Sequence, residues 1–326
     1  MATYDPPQPM WKRSVANVTF LCRFKERMAD CCDMICARGY PQGDIRMTSI
    51  LRGTLAALAF TSTVWLAATP AAADDVDTCE KASVDEAIAA CTRAIDSGRY
   101  SGGQLAALFN IRCFEWNGKQ ESDKAISDCN QAIRLNPNYA NVFFNRGTAY
   151  EAKGQYDRAI EDYSQAIRLN PNDANAINNR GNTYSKESQY DLAIEDYNQA
   201  IRLNPSDADA FSNRGTAYKA KGQYDRAIED YDQAIRLNPN DAMAFYNRGI
   251  AYDDKGQDDR AIEDYNQAIR LNPNYAIAFY NRGVSWVRKN DLQRALADFN
   301  KFSELAPSDP DGPKAVERVT KALSGR

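Results

Sequence analysis

Apolar and small residues recur at helical spacing along most of this chain. Residues 140–173 contain two such stripes, each separated by polar positions. The first stripe is Phe143, Gly147 and Tyr150, and the second is Ala159, Tyr163 and Ala166. Because each set falls on one face of a helix, the pattern predicts two amphipathic helices that pack face to face. Small residues on the facing stripes allow the helices to approach closely, and the aromatic residues fill the space beside them.

The ends of both helices are also marked in the sequence. Gly154 follows the first helix, as glycine does past a helix C-terminus. Asn170-Pro171 follows the second, and proline disfavours a helical conformation in the residue before it. Residues 140–173 therefore read as a complete helix–turn–helix unit.

This unit is repeated along the chain at a fixed period. The Asn-Pro pair recurs every 34 residues, at Asn136, Asn170, Asn204, Asn238 and Asn272, and the next step reaches Ala306-Pro307. A constant period of this length indicates a stack of identical supersecondary units. The period divides residues 106–309 into six units, which are 106–139, 140–173, 174–207, 208–241, 242–275 and 276–309.

The signature positions and the period together resemble the tetratricopeptide repeat family. The resemblance implies an all-α, right-handed α-solenoid of antiparallel helix pairs with 34-residue repeats. It also implies that the first helix of each unit lines an inner, concave wall. The expected function is a non-enzymatic scaffold that binds an extended peptide or a partner protein in that groove.

The two ends of the array depart from the signature. Residues 74–105 are expected to form an N-terminal helical cap, in which 85–98 match a second helix without a standard first one. Residues 310–326 are expected to form a C-terminal capping helix that covers the last apolar surface. Its apolar face comprises Ala315, Val316, Val319 and Leu323.

The N-terminal region carries the pattern of a secretory signal. Residues 47–73 run from Met47 through a short basic head and an apolar stretch to an A-x-A motif that predicts cleavage after Ala73. The expected location is periplasmic or secreted. The alternative is a membrane-anchored assembly factor that keeps 53–69 as an uncleaved anchor. Residues 1–46 are interpreted as an upstream segment of doubtful expression with little order.

Four cysteines follow the predicted cleavage point, and an even number in an oxidising compartment suggests disulfides. The layout favours pairing Cys79 with Cys91 in the cap and Cys113 with Cys129 in the first repeat. The alternative is four buried free thiols. The cysteines before residue 47 do not have the paired spacing of a zinc site.

Composition narrows the function classes. The chain has 326 residues, a formal net charge of −4 and no histidine. The near-neutral balance argues against nucleic acid as a partner. The absence of histidine removes the commonest general base and metal ligand, and no nucleophile or phosphate-loop motif is present. No enzyme activity, cofactor or metal is therefore expected, and a membrane partner is expected only if the signal segment stays uncleaved.

One asparagine recurs in the first helix of five units, beside an arginine. Asn145 lies about 170° from the apolar stripe, which points it into the groove expected from the family resemblance. A column of amides can donate to and accept from the backbone of a peptide. The alternative is a solvent-facing residue copied by duplication. The column is Asn145, Asn179, Asn213, Asn247 and Asn281.

The neighbouring arginine is expected to belong to the scaffold. It lies on the flank of the first helix, and an aspartate occupies the same height of the second helix in every unit. Because an acid accompanies each arginine, a phosphate-binding column is disfavoured. The predicted structural pairs are Arg146 with Asp162, Arg180 with Asp196, Arg214 with Asp230, and Arg248 with Asp264.

Differences between the repeats predict a second feature of the groove. Its positions are polar in 174–207 but apolar or aromatic in the last two units, and such a patch usually marks binding. The alternative is a terminal segment that folds back over the patch. Self-association is left open. The patch comprises Met243, Tyr246, Ile250, Ile277, Tyr280 and Val284.

Overall fold

A computed structural model describes residues 71–325 of the protein; the predictions for 1–46 and most of the 47–73 signal lie outside this range. Within it every regular element is a helix. The fifteen helices are α1 Ala71–Lys81, α2 Val84–Asp96, α3 Gly102–Gly118, α4 Ser122–Leu135, α5 Ala140–Ala152, α6 Tyr156–Leu169, α7 Ala174–Lys186, α8 Tyr190–Leu203, α9 Ala208–Ala220, α10 Tyr224–Leu237, α11 Ala242–Asp254, α12 Asp258–Leu271, α13 Ala276–Arg288, α14 Leu292–Leu305 and α15 Asp311–Leu323.

Consecutive helices pack against each other along the whole described range. In each of the six units the odd-numbered helix, here called helix A, pairs with the following helix B. Successive A helices also approach one another, most clearly α3 with α5. No two B helices of the described residues come together to a comparable extent. The A helices therefore form the tighter side of the stack, and the all-helical solenoid predicted from the repeat is confirmed.

A glycine opposite an aromatic ring sets the distance between the helices of a pair. A Cβ atom added to Gly147 would lie 2.9 Å from Cε1 of Tyr163, and one added to Gly215 would lie 3.0 Å from Cε1 of Tyr231. Both tyrosine side chains are fully buried. The ring therefore occupies the space that a side chain would need, and helix A meets helix B through its backbone.

The first repeat replaces this glycine–tyrosine pair with a disulfide. Cys113 stands at the glycine position of α3, Cys129 stands at the tyrosine position of α4, and a disulfide joins them across a Cα–Cα distance of 5.7 Å. A second disulfide joins Cys79 of α1 to Cys91 of α2. All four residues are buried. Both covalent links of the described residues thus lie at the N-terminal end of the stack.

The turn between helix A and helix B requires a left-handed residue. Gly154, Gly222 and Gly256 adopt φ values of 69–71° there. Ser188 holds the same place in the third repeat with φ 60°, although it carries a side chain. The turn before the next helix A is capped by a carboxylate in three repeats, as where Asp207 accepts from the Asp209 backbone N–H at 3.0 Å.

The N-terminal cap contains one helix more than its sequence indicates. α1 packs on α2 and supplies the partner that 85–98 seemed to lack. Its residues have no glycine–aromatic signature, so periodicity could not reveal it. The predicted cleavage after Ala73 falls within the first turn of α1.

The C-terminal end is closed by α15, which packs on α14. Ala315 and Val319 are buried against Phe299, and Val316 adds to the same cluster. No helix in the described part of the chain has the length and apolar character needed to cross a membrane.

Candidate peptide-binding face

The tighter side of the stack presents one surface of every A helix, here called the A-helix face. In the third repeat this face is polar and carries Asn175, Asn178 and Asn182. In the fifth and sixth repeats the same positions are apolar. We call this apolar set the anchor patch; its members are Met243, Tyr246, Ile250, Ile277, Tyr280 and Val284.

The anchor patch has an exposed rim and a packed floor. Met243 is 53% exposed and Ile277 is 40% exposed. The ring of Tyr246 packs against Tyr275 with centroids 5.0 Å apart, and Tyr280 packs against Phe302 at the same distance. The tyrosines therefore support the helix pairs as well as lining the surface, and the two aliphatic side chains are the parts most available to a ligand.

The hydroxyl groups of the floor are held in apolar surroundings. Burial raises the pKa of Tyr246, although a hydrogen bond from Asn281 acts in the opposite direction. Burial together with the charges of Tyr246 and Asp241 raises the pKa of Tyr275 to about 12. Both rings are therefore neutral at physiological pH, and the patch carries no charge of its own.

The described terminal helix α15 leaves the exposed rim of the anchor patch uncovered. α15 packs on α14, while Met243 and Ile277 remain exposed on α11 and α13. Tyr280 and Val284 pack against a cluster that includes Ala315 and Val319 of α15. Among the described residues, Met243 and Ile277 are therefore exposed members of the patch that no terminal segment covers.

Asn145 does not face open space, contrary to the expectation from its helix alone. Its side chain is buried, and its Nδ2 donates to Oδ1 of Asn110 in the preceding repeat at 2.9 Å. Asn117 Nδ2 donates to its backbone oxygen at 2.8 Å. A helical wheel places a side chain relative to its own partner helix but omits the A helix of the preceding repeat. That neighbour covers Asn145.

The other four asparagines of the column are half-buried. Asn213 Nδ2 reaches Asn178 Oδ1 at 3.4 Å, and Asn281 Nδ2 donates to the Tyr246 hydroxyl at 3.1 Å. Each bond spans 35 residues and joins neighbouring A helices. The side chain of Asn247 has no hydrogen-bond partner among the described residues. Peptide binding by the column stays a prediction, and Asn247 is the member best placed for it.

The arginine beside each asparagine is fully engaged. Nε and Nη2 of Arg146 each donate to one carboxylate oxygen of Asp162 at 2.7 Å, and Nη1 donates to Asn130 of the preceding repeat at 2.6 Å. The two-point pairs are Arg112–Asp128, Arg146–Asp162, Arg180–Asp196, Arg214–Asp230, Arg248–Asp264 and Arg282–Asp298. The acceptors in the preceding helix pair, in the same order, are Thr92 of the cap and then Asn130, Ser164, Asn198, Asp232 and Asn266 of the repeats.

These ion pairs lie largely out of solvent. The arginine side chains are 16–20% exposed and the aspartate side chains 5–8% exposed. Burial opposes the charge of Arg146, but the hydrogen bonds and charge of Asp162 outweigh it, so the pKa of Arg146 is raised. Because the guanidinium nitrogens already donate to the aspartate and to the preceding helix pair, these arginines belong to the scaffold and offer no free pair of donors to a phosphate.

Charged pairs also cross two repeat junctions on the A-helix face. Lys186 Nζ pairs with Glu151 at 2.7 Å, and Arg288 pairs with Asp253. Asp253 further accepts from the Tyr265 hydroxyl at 2.8 Å and from Ser285 Oγ at 2.9 Å. The carboxylates of Glu151 and Asp253 are therefore already paired within the protein. The described residues contain no cluster of histidine, cysteine, aspartate or glutamate that could hold a metal ion.

Comparisons with known proteins agree with this architecture. The family described as "TPR repeat" matches residues 119–154, 181–222 and 215–256. Two families described as "Tetratricopeptide repeat" match 140–173 and 242–275 in one case and 163–195 in the other. No curated protein matches the chain.

Two solved structures that cover about three quarters of this chain share the fold. A tetratricopeptide repeat protein from Parabacteroides merdae is 19% identical with a TM-score of 0.59, over 77% of this chain and 97% of that one. The C-terminal part of a TPR repeat-containing protein from Cytophaga hutchinsonii is 18% identical with a TM-score of 0.60, over 75% and 98%. YrrB, titled "a TPR protein with an unusual peptide-binding site", is 26% identical with a TM-score of 0.49, over 58% and 97%.

A stack of antiparallel helix pairs with an unenclosed inner face defines an α-solenoid, a class of fold that uses its extended surface for binding. Within that class, the 34-residue period and the matched residues 119–275 make this a tetratricopeptide repeat protein.

Proposed function

We propose that this protein is a non-enzymatic scaffold that holds an extended peptide, or an extended segment of a partner protein, along its A-helix face. The anchor patch receives the apolar side chains of that ligand. The observation that carries the proposal is the exposure of Met243 and Ile277 on neighbouring repeats, where the third repeat has polar residues. Exposed apolar patches on a soluble surface commonly mark interaction sites.

The chain offers its own polar replacement for the test. Asn141 and Asn175 occupy the place of Met243 in the second and third repeats, so Met243→Asn with Ile277→Asn restores a residue that the fold already accepts there. The probe is a phage-displayed library of random dodecapeptides. The wild-type protein is expected to enrich peptides with clustered apolar residues, and the double variant to lose that enrichment.

Leu237→Asn is the matched control. Leu237 is 41% exposed at the end of α10, a B helix, so its replacement removes a similar apolar surface on a different side of the stack. It should leave the selected peptides unchanged. If the wild-type protein enriches no peptide, or if the double variant enriches the same ones, the groove function is wrong.

We also propose that the protein is exported by the signal at 47–73. The two disulfides support this location, because such bonds persist mainly in oxidising compartments. N-terminal sequencing of the native protein should give a chain starting at Asp74. Peptides from 1–46, or a protein that stays in membranes after a high-salt wash, would instead favour the upstream start or the membrane-anchored alternative.

A further inference from the structure

Met243 is the most exposed large apolar residue of the described chain, at 53%. It is the second residue of α11 and lies at the rim of the anchor patch. It is also the only methionine in the sequence after Met47. A thioether side chain therefore meets solvent at the place where the protein presents its apolar surface.

The other sulfur atoms of the described residues are protected from oxidants. Cys79 is bonded to Cys91 and Cys113 to Cys129, and all four residues are buried. A cysteine in a disulfide has no thiolate with which to attack an oxidant. Met243 therefore carries the only reduced sulfur in the described part of the chain.

The repeats contain both apolar and polar residues at the position of Met243. The sixth repeat has Ile277 there, whereas the second, third and fourth repeats have Asn141, Asn175 and Asp209. The fold thus accepts either character at this place. A change in the polarity of residue 243 should alter the surface of the fifth repeat and leave its packing intact.

The start of α11 also does not depend on the Met243 side chain. The carboxylate of Asp241 accepts a hydrogen bond from the backbone N–H of Met243 at 2.9 Å. This cap uses the main chain, which oxidation of the side chain does not touch. The helix should therefore begin at the same residue in either oxidation state.

Peroxide oxidation of a thioether produces such a change in polarity. The sulfur lone pair attacks one oxygen of hydrogen peroxide, the O–O bond breaks, and the departing hydroxide takes the proton of the transferred oxygen to form water. Sulfur is oxidised by two electrons and the peroxide is reduced by two. The product, methionine sulfoxide, is polar and is converted back by methionine sulfoxide reductases.

We propose that Met243 is an oxidation site through which peroxide weakens the binding of apolar ligands to the anchor patch. In the reduced protein, two neighbouring repeats present Met243 and Ile277 to the ligand. In the oxidised protein, the fifth repeat takes the polar character of the second to fourth, and Ile277 is the exposed aliphatic residue that remains. This inference rests on the proposed peptide-binding function.

Peptide mass mapping tests the chemistry without any ligand. After treatment with hydrogen peroxide, the fragment that contains Met243 should gain one oxygen at a rate close to that of a short methionine peptide in the same solution. Circular dichroism and the midpoint of thermal unfolding should stay unchanged. A Met243 that remains reduced while the short peptide is oxidised would overturn the proposal. Unfolding on oxidation would also overturn it, because lost binding would then reflect general structural damage.

Binding is measured with a dodecapeptide that the wild-type protein selects and that Met243→Asn with Ile277→Asn no longer binds. The oxidised protein should bind this peptide about tenfold more weakly, because a polar oxygen replaces apolar contact surface. Treatment with reductases for both sulfoxide epimers should restore the affinity.

Two single variants show whether residue 243 is responsible. Met243→Ile copies Ile277 of the next repeat, so it should bind the peptide and keep its affinity after peroxide treatment. Met243→Gln should bind as weakly as the oxidised protein without any peroxide. If Met243→Ile loses affinity after peroxide as wild type does, another residue is responsible and the proposal is wrong.

The outcomes separate this proposal from the groove function. If the oxidised wild-type protein binds the selected peptide as tightly as the reduced protein does, the oxidation site is wrong and the groove stands. If the wild-type protein enriches no peptide at all, the proposed function fails and the inference that rests on it fails too.

Discussion

The charged residues of this array form two kinds of ion pair, buried and exposed, which differ in how much they stabilise the fold. Arg214 binds a carboxylate that is almost fully buried, and it also donates to Asn198. Lys221 binds Asp191, whose side chain is 84% exposed. A buried charge that loses its partner is strongly destabilising, whereas an exposed pair contributes little. The fourth repeat therefore takes part in one buried pair that contributes strongly to stability and one exposed pair that contributes little.

Removal of the two cations should show this difference. Arg214→Met leaves Asp230 buried and unpaired and should lower the free energy of unfolding by about 3 kcal/mol. Lys221→Met should change it by about 0–1 kcal/mol. Urea unfolding followed by circular dichroism gives both values under the same conditions. Equal effects of the two substitutions would contradict the assignment.

Ser188 offers a second residue-scale prediction. Its φ of 60° is unfavourable for a residue with a Cβ atom, and glycine takes this place in neighbouring repeats. Ser188→Gly should therefore stabilise the protein by about 1 kcal/mol, and Gly222→Ser, the reverse change in the next repeat, should destabilise it by a similar amount. The two midpoints of thermal unfolding should move in opposite directions. A shift of the same sign in both variants would show that the positive φ of Ser188 is not a source of strain.

At the scale of the helix pair, the glycine–tyrosine contact and the disulfide of the first repeat are two solutions to one packing problem. Where a tyrosine ring of helix B packs against a glycine of helix A, van der Waals contact joins the two helices at that point. In the first repeat both positions are cysteine, and a covalent bond replaces that packing. The first repeat is therefore the one whose internal packing depends on oxidation.

Conversion of the first repeat to the common solution tests this dependence. Cys113→Gly with Cys129→Tyr introduces the glycine–tyrosine pair found in the next four tetratricopeptide units; the sixth unit has phenylalanine as the ring. Hydrogen exchange of α3 and α4 should rise strongly on adding dithiothreitol to the wild-type protein and much less in the double variant. α9 and α10, which contain no cysteine, provide the internal control. Equal sensitivity of both proteins would contradict the prediction.

The helix pairs were predictable from sequence because their determinants are local. The stripe around Gly147 and the Asn-Pro stop each lie within one unit, and 34-residue periodicity multiplies the signal. The contacts of Asn145 and Arg146 were harder to predict. Their partners Asn110 and Asn130 belong to the preceding repeat, so contact depends on how units stack. Glu151 and Lys186 were visible in the sequence only as two separate charges, because their contact also crosses a junction between repeats.

At the scale of the whole described array, each unit contacts its neighbours and stability adds up along one dimension. After the sixth unit, α15 rather than a seventh helix pair packs against Phe299 and Ala295. The N-terminal end is closed instead by α1 and α2 and by disulfides. The two ends are thus protected by different means, and the middle repeats depend on neither directly.

Deletion of residues 310–326 should act locally for this reason. Loss of Ala315 and Val319 exposes the apolar edge of α14, so hydrogen exchange should increase in α13 and α14 and the protein should tend to self-associate. Protection in α5 to α8 should be unchanged. Analytical ultracentrifugation and hydrogen exchange by mass spectrometry measure the two effects. Uniform loss of protection along the array would show that the units are not energetically separate.

The hydrogen bond from each helix A arginine to the preceding helix pair has a consequence for how such a chain can change in length. Each guanidinium binds an aspartate in its own unit and a hydrogen-bond acceptor in the second helix of the preceding helix pair. Six different junctions meet this need with threonine, asparagine, serine or aspartate. This contact therefore accepts different units as neighbours, and recombination within the gene can add or remove a 34-residue segment while keeping it. The pairs Lys186–Glu151 and Arg288–Asp253 are junction contacts that do depend on which units meet. The binding surface can lengthen or shorten while the rules of assembly stay the same.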